Sequence, residues 1–162
     1  MTISVGDTLP DAQLSRFGGD GPEQLALSSL TKGRKVVIFG LPGAFSRTCS
    51  ATHLPSFMRS AQGFFDKGVE EIICLSVNDP FVMQAWDEAN GAKEAGVTLL
   101  GDSACEFTKA IGMEFSAPVV GLFDRSQRYA MLVEDGVVKV LSAEDSPGAC
   151  ETTVGETFLA EI

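Results

Sequence analysis

A cysteine does chemistry where its surroundings favour the thiolate, and the run Gly40-Leu41-Pro42-Gly43-Ala44-Phe45-Ser46-Arg47-Thr48-Cys49 assembles such surroundings. Ser46 stands at a helix N-cap position three residues before Cys49, with a hydroxyl to donate, and Arg47 adds a nearby positive charge. In a first helical turn Cys49 meets orphan N–H groups and the positive end of the helix dipole, which favour a nucleophilic thiolate. Packing as a small apolar side chain beneath the helix start is the other reading of the same position. His53, four residues on, shares the helix face, where it either pairs with the thiolate or fills the bend that Pro55 imposes.

The remaining cysteines have less favourable settings. Cys105 has Asp102 and Glu106 as neighbours, which oppose a thiolate, so it reads as structural. Cys74 falls inside an apolar strand and reads as core. Cys150 follows the turn-forming Ser146-Pro147-Gly148-Ala149, where exposure is expected; there it either condenses with an oxidised thiol or is simply solvated. No C-x-x-C pair occurs and the chain has 1 histidine, so neither a metal site nor a cofactor is expected.

The elements that must position Cys49 are legible on either side of it. Val36 to Phe39 form an unalternating β-branched run, as in a strand covered on both faces, and Pro42-Gly43 stops it. Ser50 to Phe65 carries Leu54, Phe57, Met58, Ala61, Phe64 and Phe65 at helical spacing, and Glu71 to Val77 is a second buried strand. This is a βαβ unit with parallel pairing. Asp79-Pro80 caps a helix through Trp86, Val97 to Leu100 is a third strand, and Ser103-Ala104-Cys105-Glu106 has the capping-box pattern. Asp135-Gly136 predicts a tight hairpin between Arg128–Glu134 and Val137–Leu141, and Thr152 to Ile162 reads as a terminal helix. Residues 1 to 30 read as loop-rich with room only for short strands, and Ser116 to Ser126 reads as a loop. The order β-α-β-α-β-α-β-β-α fits a thioredoxin-like α/β fold, a mixed sheet with helices on both faces.

With 162 residues, 44% hydrophobic and 21% charged, the chain is expected to form one domain over 1–162. The net charge of −10 argues against nucleic acid and anionic membranes as partners. No apolar run is long enough to cross a bilayer, and no signal-like N-terminus is present. With 4 cysteines, the expectation is a reducing, cytoplasmic setting.

Taken in order, Pro42-x-x-x-Ser46-x-x-Cys49 resembles the P-x-x-x-T/S-x-x-C signature of peroxiredoxins. Pro42-Gly43-Ala44-Phe45-Ser46 with Thr52-His53-Leu54-Pro55 is similar to the peroxiredoxin-five, or type II, subfamily, and Leu75 to Val82, Ala85-Trp86 and Arg128 to Met131 continue the likeness. The resemblance implies a thiol-dependent peroxidase in which Cys49 is the peroxidatic cysteine, Ser46 supplies the hydroxyl, Pro42 shields the site and Arg128 reaches it. It also implies recycling by glutathione, glutaredoxin or thioredoxin, with Cys150 as the resolving cysteine if resolution is internal, and a homodimer with Phe81 as a contact. Ser46 stands where most of the subfamily has Thr, and Arg47 where Pro is frequent. A non-enzymatic thioredoxin-fold sensor or binding protein is the alternative function.

Overall fold

Val36, Val37, Ile38 and Phe39 are completely buried because both faces of their strand are covered. The computed structural model, which describes residues 1–162, places them in β3 (Lys35–Gly40). Val37 and Phe39 enter one apolar cluster with Ile72, Cys74, Ala130 and Leu132, while Val36 and Ile38 enter a second with Ile73, Leu75, Met131 and Val133.

β3 is inside a seven-stranded mixed sheet. Along the sheet the order is β2 (Gly21–Ala26), β1 (Gln13–Gly18), β5 (Val97–Gly101), β4 (Glu71–Ser76), β3, β8 (Tyr129–Glu134) and β9 (Val137–Ala143). β3, β4 and β5 run parallel, as the βαβ pattern requires, and β8 returns antiparallel to β3. The first face carries α2 (Leu54–Asp66), α3 (Pro80–Asn90) and α5 (Gly155–Glu161), through Phe57, Phe64, Trp86 and Phe158. α4 (Glu106–Ala110) covers the second face through Phe107. The short α1 (Ser28–Thr31) precedes β3. The thioredoxin-like α/β architecture is the expected one.

Two stretches read as loops are hairpins. β1 and β2 pair along six residues, because Gly18 and Gly21 flank a two-residue turn instead of interrupting strands. Ser116–Ser126 falls in a small sheet of β6 (Glu114–Ala117) and β7 (Leu122–Ser126), joined by a 3₁₀ turn at Pro118–Val120. The Asp135-Gly136 turn has φ of 48° and 77°, the left-handed pair that a tight hairpin needs. Asp79 caps α3 as expected, its Oδ1 accepting from Val82 N–H at 2.9 Å.

The capping box at Ser103 does not form. Ser103 Oγ bonds instead to Ser15 Oγ and the Asn78 carbonyl. The cap is the buried Asp102, which accepts from Phe107 N–H (3.2 Å), Thr108 N–H (2.8 Å) and Thr108 Oγ1 (2.7 Å). Cys105 is left buried at φ 58°, a structural residue. Asp102→Ala removes the acceptor from three buried donors and should lower stability by about 2 kcal/mol or more, measured by urea denaturation.

Candidate active site

Beyond Gly40 the chain turns sharply before the Cys49 helix, and the turn is pinned from three sides. Asn78 Oδ1 accepts the Ala44 N–H at 3.0 Å, Ser46 N–H and Oγ donate to the Gly43 carbonyl, and Arg125 lies against Gly43, where a Cβ would come within 2.9 Å of its Nη1. Phe45 is held at φ 64°, an uncommon conformation for an aromatic residue and a sign that the loop is constrained by its surroundings. Ser46 occupies the expected N-cap position, but its hydroxyl faces back to Gly43 and not into the helix. Helical structure runs from Arg47 to Asp66. Its first backbone bond joins Ser50 N–H to the Ser46 carbonyl, which leaves the amides of Arg47, Thr48 and Cys49 ahead of the ladder.

Cys49 opens a π-turn over Cys49–His53, closed by Leu54 N–H on the Cys49 carbonyl. The wider turn meets Pro55, whose missing N–H and bulky ring disfavour a regular α-turn there. Cys49 is fully buried, in the same apolar cluster as Phe39, Leu41 and Phe57. Next to it, Ser50 Oγ accepts from the buried indole Nε1 of Trp86 at 2.9 Å.

Arg128, the residue before β8, is 2% exposed, yet no ion pair in the protein includes it. Nε and Nη2 both donate to the Pro147 carbonyl, at 3.3 and 3.1 Å, and Nη1 donates to His53 Nδ1 at 3.1 Å. His53 Nε2 in turn lies 3.1 Å from the Thr153 carbonyl. A guanidinium only donates and a carbonyl only accepts, so His53 is neutral with its proton on Nε2. Burial and the adjacent Arg128 charge push its pKa down to about 3. Both ring nitrogens are committed, so the direct imidazole–thiolate pairing considered from the sequence does not form.

Cys150 is half-buried, not exposed, in a loop tied to Glu144. That carboxylate accepts from Glu151 N–H, Thr153 N–H and Thr153 Oγ1, and against the upward pull of burial these bonds hold its pKa below the usual range. Burial raises the pKa of Cys150, with the Arg128 charge opposing, and raises that of Cys74 well above the ordinary value. A groove of about 700 Å³ opens over this region, lined by Pro42, Ser46, Arg47, Thr48, Arg128 and Pro147 among others. Pro42, Ser46 and Arg128 thus meet at one groove, with the buried Cys49 one residue beyond its wall.

Residues 4–157 match the Redoxin family model. Peroxiredoxin-2E-2 of Oryza sativa subsp. japonica, a chloroplastic protein, is 50% identical over 165 residues, spanning 99% of this chain and 73% of the relative. The chain is a peroxiredoxin. Reduced Prx3 of Vibrio vulnificus in complex with H2O2 superposes with a TM-score of 0.92 at 42% identity, covering 99% of each chain. Peroxiredoxin 5 of Alvinella pompejana superposes at 0.84 with 30% identity, covering 98% of this chain and 96% of its own. This peroxiredoxin is accordingly a thiol-dependent peroxidase that reduces peroxide at the expense of a thiol, and the non-enzymatic alternative is set aside.

Sequence reasoning did not find Asn78, Glu144, Pro147 or Thr153 as parts of this peroxiredoxin's site framework. Asn78 read only as part of the Leu75 to Val82 likeness; Pro147 and Thr153 act through carbonyls that meet side chains from other segments, and Glu144 through bonds to residues seven and nine positions on. The buried neutral His53 has a consequence for stability. Unfolding restores its ordinary pKa of 6.5, so the unfolded state binds a proton that the folded state refuses. Stability should therefore fall as pH drops from 6.5 to 5, by up to about 1.4 kcal/mol per pH unit. In that window Asp11 and Glu144, whose pKa values are lowered, stay mostly ionised in both states, so His53 dominates the slope. Denaturant titrations at successive pH values check this, and His53→Gln should flatten the slope.

Proposed function

We propose that Cys49 is the peroxidatic nucleophile, with Arg128, Ser46 and Pro42 forming its peroxide site. The observation that carries this reading is the buried Arg128 guanidinium without a carboxylate partner. A desolvated cation calls for an anion, and a thiolate at the adjoining helix start, or the anion that develops in the reaction, answers it. Two Arg128 N–H groups, one on each terminal nitrogen, are not taken up by Pro147 or His53. With its hydrogen given to Gly43, Ser46 Oγ has lone pairs free to accept from a peroxide O–H.

The reaction follows from that arrangement. The Cys49 thiolate attacks the near oxygen of the peroxide, the S–O bond forms as the O–O bond breaks, and the far oxygen leaves with the electron pair, taking a proton to become water or an alcohol. Cys49 is oxidised to sulfenic acid. The free amides of Arg47, Thr48 and Cys49 and the Arg128 donors suit the charge as it moves from sulfur to the departing oxygen. Pro42 brings no N–H to the groove wall and helps to exclude water.

For the return step we favour an external thiol, such as glutathione, glutaredoxin or thioredoxin, over Cys150. The Glu144 bonds and the Pro147 carbonyl on Arg128 restrain the Cys150 loop, and internal resolution has to break them. Large apolar side chains left exposed, among them Phe45, Phe81, Val119, Val120 and Phe123, support a homodimer. Cysteines that are all free support a reducing compartment, with the cytoplasm as our reading.

Peroxide consumption with a thiol reductant should vanish in Cys49→Ser. In Arg128→Met the peroxide step should lose about 2–4 kcal/mol of transition-state stabilisation, and an unchanged rate would remove Arg128 from the site. Mass spectrometry after peroxide and glutathione should find a glutathione adduct on Cys49, with Cys150→Ser behaving like the parent. A 49–150 disulfide as the main product would select internal resolution instead.

A further inference from the structure

We propose that His53 is a positioning residue for Arg128: its Nδ1 lone pair fixes the guanidinium relative to Cys49, while its Nε2–H fastens it to the Thr153 carbonyl. This rests on the reading of Cys49 and Arg128 given above. The geometry leaves one assignment of the proton, since Nδ1 is 3.1 Å from Arg128 Nη1 and Nε2 is 3.1 Å from a carbonyl oxygen. The ring has no freedom to swing away. It is fully buried, with ring centroids 5.0 Å from Phe39 and 5.6 Å from Phe57.

The chemistry of the acceptor matters more than its presence. A carboxylate in the same place would pair with Arg128 and cancel the charge that the sulfur or the departing oxygen needs. A neutral imidazole accepts one N–H, orients the fork and leaves the cation uncompensated. His53 also belongs to the π-turn that begins with Cys49, so the guanidinium is referenced to the same turn as the sulfur. The imidazole acts through Arg128 and does not touch the reacting atoms.

Two substitutions separate this role from a merely structural one, because the two side-chain amides mimic different ring nitrogens. His53→Asn can place an acceptor near the Nδ1 position and abandons Thr153. His53→Gln can reach Thr153 from the Nε2 position and abandons Arg128. We expect His53→Gln to slow both the single-turnover reaction of Cys49 with hydrogen peroxide and its alkylation by iodoacetamide at pH 7, by about 10- to 100-fold for the peroxide step. His53→Asn should lose far less of either rate. In an Arg128→Met background, His53→Gln should add nothing further, since its effect runs through the absent guanidinium.

The opposite ranking, with Gln fast and Asn slow, would show that His53 serves the Thr153 loop and would overturn the proposal. Equal losses in both variants would do the same, as would full additivity with Arg128→Met. If Arg128→Met alone reacts at the parental rate, the fault lies in the site assignment itself. Thermal melts of each variant identify any rate loss that comes from misfolding, and His53→Asn, scored against His53→Gln of matched melting temperature, keeps the comparison decisive.

Discussion

A positive charge taken out of water and given no negative partner is the constraint on which the rest of this molecule turns. Isolated, the Arg128 guanidinium would be too costly to bury. The chain offsets that cost with carbonyl and imidazole acceptors, which satisfy the geometry of the fork without neutralising it. What remains is a buried cation, uncompensated by any carboxylate. The amides of Arg47, Thr48 and Cys49, left ahead of the helical ladder, are a second source of positive potential.

The topology explains how a residue 79 positions beyond Cys49 comes to stand beside the chain that leads into that helix. β8 lies antiparallel to β3, with Tyr129 opposite Gly40. The residue before β8 therefore stands beside the end of β3, where the chain leaves for Pro42 and the helix. Gly40 is required for the same contact, because a Cβ there would run into the Tyr129 ring. The parallel neighbour β4 ends nearby and delivers Asn78 to the Ala44 amide. Three strand ends thus fix the loop that leads into the helix and the position of Arg128.

How much of this could be read beforehand depended on whether the signal was local. The buried strands, the parallel βαβ unit, the Asp79 cap and the Asp135-Gly136 hairpin were all written in short-range patterns of burial and turn chemistry. The β1–β2 and β6–β7 hairpins were obscured because glycine and proline counted as breakers where they serve as turns. Ser103 matched a capping box, yet Asp102, one residue earlier and fully buried, had more donors to satisfy and won. Cys49, Ser46, Pro42 and Arg128 were named from a motif and a resemblance; Pro42, Ser46 and Arg128 line one groove, and Cys49 follows its lining residue Thr48. Their supports were not legible, since the bonds from His53 to Thr153 and from Arg128 to Pro147 join separate segments, and those from Glu144 to its own loop follow no spacing rule.

The contact between Trp86 and Ser50 has a practical meaning of its own. The chain has a single tryptophan, and its indole N–H is bonded to the residue that follows Cys49. Any unwinding of the π-turn breaks that bond and changes the polarity around the only indole. The protein therefore carries a built-in optical gauge, in which emission intensity and wavelength follow the conformation of the turn without any added label.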